Sequence, residues 1–261
     1  MKPFVIWFHS ATKLAAKQQE VGMTDSAPAR LDLGREFAGR DIRVSNLTAG
    51  GACVALGSLG VTATSVLYAL SPPAAALPAQ PFDQAAALAG AVAGQSIMRM
   101  AGTIGIFSDI VMAVGALLVA FELARRGRGL AVAGWVAIVL SIVVFTFVDA
   151  IVGFVLGPIA AMRDGAGAFV GFKRLLDALF LLGTMAFGGG AILALMSEMQ
   201  ARAPIASKPL AVMGVLAGLV GVLSAAACFA GFPLEQGVGI SIGLGSAIFV
   251  AIGAQVMLKP Q

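Results

Sequence analysis

The sequence predicts an all-α fold: an integral membrane bundle of six transmembrane helices with both termini in the cytoplasm. Three observations carry this. Of 261 residues, 59% are hydrophobic and only 11% charged, whereas soluble domains carry about 25% charged residues. The apolar residues form long runs that are hydrophobic all round rather than on one stripe, so lipid is their main solvent. The lysines and arginines gather in loops on one side of those runs, as the positive-inside rule requires.

In chain order, residues 1–48 read as a cytoplasmic polar arm with seven basic and five acidic residues. The run FVIWF at 4–8 is too short for a signal-peptide core. Residues 4–18 read as an interfacial helix, with Trp7 and Phe8 among the headgroups. Alternatively, Met23 is the start and those residues are no part of the protein. From Thr24 to Asn46 the mixed charge and lack of aromatic packing predict a flexible arm.

Residues 49–261 form the membrane domain. The first span is about 50–70, rich in Gly, Ala, Ser and Thr that permit close helix contact, with Tyr68 placed for the far interface. Four prolines between 72 and 81 preclude a continuous helix there. Asp83 then caps a short surface helix, QAAALAGAVAG. Run straight into the next span, that helix would be about 60 Å long, so a break is expected near Gly94–Ser96. The second span is about 98–124 and the third about 130–156, stopped by Pro158. The fourth is about 169–196, with Gly188, Gly189 and Gly190 weakening it locally. The fifth, about 209–232, and the sixth, about 238–258, are uncharged. GxxxG spacings at Gly153/Gly157, Gly214/Gly218 and Gly239/Gly243 suit internal packing or dimerisation.

Seven Lys and Arg in the arm, three at 125–128, two at 197–208 and one at the C-terminus share one side, out of 17 in the chain. The opposite side holds Arg99, Arg163, Lys173 and Arg174. This places both termini in the cytoplasm of a bacterial inner membrane.

Several chemistries are excluded. The pI near 9.4 reflects those loop charges rather than a nucleic-acid partner. The single histidine, His9, lies outside every span, so no intramembrane histidine cage for metal or haem is expected, and no cofactor. Cys53 and Cys228 fall near opposite membrane faces, beyond disulfide reach. There is no GxSxG, P-loop, CxxC or HExxH, and no catalytic residue is assigned.

What remains is charge inside the spans. Between Met100 and Phe121 only Asp109 is charged. Counted at 1.5 Å per residue, Asp109 lies roughly 16 Å from the outer edge, and Asp149 and Asp177 each roughly 12 Å. Arg99, Lys173 and Arg174 sit above them. These six residues, Asp109, Asp149, Asp177, Arg99, Lys173 and Arg174, form the candidate polar site of the outer half. Lys173 and Arg174 are spaced to pair with Asp177. Asp109 has no base on its own helix, so its partner must come from another. An isolated intramembrane charge costs at least about 2.5–3.5 kcal/mol, which makes pairing nearly obligatory. Such pairs serve helix assembly, or they line an outward-facing cavity for an ion, a proton or a polar headgroup.

The text RMAGTIGIFSDIVMAVGALL at 99–118 and LLDALFLLGTMAFGGG at 175–190 resembles a family of bacterial multi-pass membrane proteins whose domain is named only as being of unknown function. The resemblance implies six or seven helices and a membrane location, and no activity. The leading expectation is therefore small-solute, ion or lipid handling through an extracytoplasmic charged cavity. The alternative is a non-catalytic accessory or assembly subunit of a larger membrane complex. A lipid-modifying enzyme lacks a recognisable nucleophile or base. Expected partners are membrane lipids and a homo-oligomer or larger complex.

Overall fold

A computed structural model describes residues 45–70 and 83–258. The N-terminal arm, the proline-rich stretch after Leu70 and the last three residues lie outside the described residues, and with them the expected interfacial helix. Seven helices follow in order: α1 Asn46–Leu70, α2 Gln84–Ala93, α3 Gln95–Arg125, α4 Gly129–Ala160, α5 Ala166–Gln200, α6 Lys208–Phe229 and α7 Glu235–Leu258. All but α2 are long and apolar enough to cross a membrane. The molecule is thus an all-α bundle of six such helices.

Each spanning helix packs on its neighbours in sequence, and α7 closes back on α1, so the order around the ring is α1, α3, α4, α5, α6, α7. Consecutive helices run antiparallel. Close approach is bought by glycine: Gly51 lies against Gly253, Gly102 against Gly153, Gly134 against Gly190 and Gly188 against Gly218. Lipid tails are as apolar as leucine, so this tight packing, and not hydrophobic burial, holds the helices together. Of the three GxxxG pairs, Gly153/Gly157 and Gly214/Gly218 pack internally, whereas Gly239 and Gly243 meet nothing within 4 Å.

The short helix α2 has the expected cap, Asp83 accepting from the Ala86 amide at 2.9 Å, and the expected break at Gly94. It lies against α3, α5 and the end of α4. Gly188–Gly190, expected to weaken α5 locally, lie inside a continuous helix, where Gly188 and Gly190 each sit against a neighbouring helix backbone. One expectation fails. Pro158 does not stop α4, which continues to Ala160. A proline ring would strike the carbonyl four residues back. A π-helical turn over Ile151–Leu156 widens the helix just ahead of it and lets the chain pass.

Call the end where α1 begins and α7 stops the terminal end, and its opposite the far end. The terminal half has one apolar core drawn from all six spanning helices. Trp135 of α4 packs edge-on against Phe249 of α7 at 5.7 Å, and Phe187 of α5 meets the same ring at 5.1 Å, so aromatic side chains fill the ring centre there. The far half instead has two apolar clusters, with Phe180 packed against both. One joins α2, α3, α4 and α5, and the other joins α5, α6 and α7.

Candidate functional site

Asp109 and Asp149 are buried between helices, only 3% and 6% exposed. Their environment follows from three local features. Gly105 leaves α3 without a side chain where the Asp149 carboxylate lies: a Cβ there would stand 1.9 Å from Asp149 Oδ2. Thr146, one turn before Asp149, places its hydroxyl 3.3 Å from Asp109 Oδ2. Asp109 of α3 and Asp149 of α4 therefore both lie at the contact between the two helices, Asp109 against Thr146 and Asp149 against Gly105. From α1, the Tyr68 hydroxyl donates to Asp149 Oδ1 at 2.6 Å. Three helices thus supply one polar network near mid-bundle.

Among the described residues neither carboxylate forms an ion pair. Thr64 lies one turn before Tyr68 on α1, and its buried hydroxyl has no partner. Gly60 packs on Ser108 and Tyr68 reaches Asp149, so Thr64, between them, stands at the level of Gly105. The Thr146 hydroxyl carries one hydrogen but faces two oxygens, the Ile142 carbonyl at 3.0 Å and Asp109 at 3.3 Å. When it donates to the carbonyl, the proton between Thr146 and Asp109 has to be the acid's own.

The other four sequence candidates stand apart. Lys173 is 2% exposed and pairs with Asp177 at 2.5 Å, one turn along α5. Arg174 is exposed and forms no ion pair with Asp177. Arg99 is exposed on α3, its guanidinium 5.9 Å above the Phe154 ring. The six residues are therefore one acid pair, one salt bridge and two surface arginines.

Sequence reasoning missed Tyr68, Thr146 and Glu198. Tyr68 reads as an interface anchor but bonds inward instead, because its long side chain spans the depth between the end of α1 and Asp149. The signal available was that it is the chain's one tyrosine. Thr146 could have been found from its one-turn spacing to Asp149. Glu198, 1% exposed, pairs with Arg128 at 2.7 Å and accepts from the Ile205 amide at 2.6 Å. No group of three or more metal-ligating side chains converges among the described residues. Comparison with protein-family models, with characterised proteins and with solved structures finds no match to this chain, so the site is read from its own geometry.

Proposed function

We propose that this multi-pass protein handles a small solute or ion across a bacterial inner membrane, with the Asp109–Asp149 pair as its ion site, opening toward the extracytoplasmic side. The observation that carries the reading is the pair itself: two buried carboxylates on adjacent helices with no base bonded to either among the described residues. Two such charges in a medium poor in water repel strongly, and a proton or small cation has to accompany them. The Thr146 geometry favours a proton, since it is satisfied when Asp109 carries one. Tyr68, two residues from the end of α1, reaches Asp149 from the far end, and this supports an approach from that side.

Orientation rests on the distribution of Lys and Arg, which puts the far end outside. Reporter fusions at Ala79 and Ala203 test it, and a cytoplasmic signal from Ala79 would reverse the assignment.

The functional test is reconstitution in proteoliposomes with a trapped pH-sensitive dye. Asp109→Asn is expected to abolish flux while leaving insertion and monodispersity unchanged. Flux equal to that of the wild type removes the pair from the mechanism. An assembly subunit would instead co-migrate with a large complex after gentle extraction and keep its partners in the Asp109→Asn form.

A further inference from the structure

Three buried polar atoms in the terminal half have no hydrogen-bond partner among the described residues: the indole Nε1 of Trp135, a residue 1% exposed, Arg128 Nη1, and Glu198 Oε1, which has only its ion pair with Arg128. Buried indole N–H groups ordinarily find a partner, in protein or water. Trp135 lies on α4 and Arg128 is the residue that caps its start. Arg128, Trp135, Ile142 and Asp149 recur every seventh residue, a spacing that drifts only about 20° per step around a helix. That face looks into the ring, since Trp135 packs on Phe249 of α7, which is not a ring neighbour of α4.

Register brings the two donors toward each other. Gly134 packs on Ala194 and Gly190 on Ile138, so Glu198 lies opposite a position just past Arg128 on α4. Arg128 Nη2 reaches Glu198 Oε1 at 2.7 Å and the Ser197 carbonyl at 3.3 Å. The guanidinium is thereby carried up the bundle to roughly 8 Å below Trp135 at 1.5 Å per residue. One or two waters, each about 2.8 Å from its partners, span such a gap. Above Trp135 the same interior turns apolar: Ile138 and Ile142 are buried and their side chains offer water no hydrogen-bond partner.

We propose that water enters the ring from the terminal end as far as Trp135, held by Trp135 Nε1, Arg128 Nη1 and Glu198, and that the Arg128–Glu198 pair gates it. The proposal rests on reading Asp109 and Asp149 as the ion site, for which this would be the opposite half of the path, with Ile138 and Ile142 as the barrier between.

The test does not depend on flux. The chain has two tryptophans, so Trp7→Phe leaves Trp135 as the sole indole. Proteoliposomes of that protein are diluted into D2O, and conversion of indole N–H to N–D is followed by ultraviolet resonance Raman. Exchange is expected to be far faster than that of the α4 backbone amides around it. Glu198→Gln, which removes the charge paired with Arg128, should quicken it about tenfold or more, since breaking a buried ion pair costs at least that factor. If Glu198→Gln does not fold, Arg128→Lys, which keeps the charge but loses the fork, is measured instead. An indole that exchanges as slowly as those amides overturns the proposal, and a rate unchanged in the gate variant overturns the gate. A wetted Trp135 without Asp109-dependent flux would sink the ion-site reading alone.

Discussion

The bond from Tyr68 to Asp149 is the contact whose strength says most about the site. Tyr68→Phe removes only its hydroxyl. Asp149→Ala removes the acceptor but also leaves a cavity beside Gly105, so neither variant alone isolates the bond; the four-membered cycle does. Two magnitudes compete for the coupling energy. Side-chain hydrogen bonds between spanning helices average about 0.6 kcal/mol and reach about 1.7. Bonds to charged groups contribute about 1.5–3 kcal/mol. The charge on Asp149 decides between them. At 2.6 Å the bond is of a length that a hydroxyl makes to a carboxylate, and the proposed ion site puts the shared proton on Asp109. The expected coupling is about 1.5 kcal/mol or more, more than tenfold in the unfolding equilibrium. Steric-trapping measurements of unfolding in bicelles on the wild type, both singles and the double variant would read it. A coupling near zero refutes the bond, and one near 0.6 kcal/mol refutes the charge on Asp149.

Other substitutions probe how the site is held. Gly102→Ala would put a methyl 2.5 Å from the Asp149 carbonyl oxygen and 2.7 Å from Gly153 Cα, both backbone, so α3 and α4 must part. A loss of about 1–3 kcal/mol is expected in thermal unfolding in detergent. Gly239→Ala meets nothing, and the same assay should show no loss. Lys173→Met leaves Asp177 without its partner and should cost about 3–5 kcal/mol. Adding Asp177→Leu should recover most of that loss, since an apolar pair of similar volume is often neutral or stabilising; a double variant no better than the single would show that the pair does more than neutralise itself.

The helices were legible because spanning a membrane constrains length and polarity together. A run of about 20 apolar residues has almost no other stable fate. The break before α3 was legible for a related reason: Asp83 and Gly94 are strong local signals, and an unbroken helix would be twice too long for a bilayer. Pro158 misled because a single-residue rule describes what an α-helix cannot tolerate, whereas the chain adopted one turn that is not an α-helix. The glycines of α5 show the same reach of tertiary packing over a local rule. Their low propensity is a cost in an isolated helix, but neighbours packed against Gly188 and Gly190 repay it, and those neighbours are not local in sequence.

The candidate site was legible in depth but not in direction. Counting residues put six charges at similar levels, and depth alone cannot say which of them meet. Helix angle can. Consecutive residues differ by about 100° around the axis, so Lys173 and Arg174 could never both face inward, and it is Lys173 that is buried and Arg174 that is exposed. Arg99 and Asp109 are ten residues apart, which turns them about 80° from each other and sends the arginine outward over Phe154. The partners that do reach the acids come from other helices, Tyr68 from α1 and Thr146 from α4, and both are uncharged. A search for charge to balance charge passes over them. Inside a membrane that search is biased in principle, because an acid that exchanges a proton or a cation needs hydroxyl groups to hold its geometry and is disabled by a permanent base. Among the described residues no lysine or arginine pairs with Asp109 or Asp149, in a domain that pairs Lys173 with Asp177 and Arg128 with Glu198, and on the proposed reading that difference separates a site that exchanges a charge from one that merely buries it.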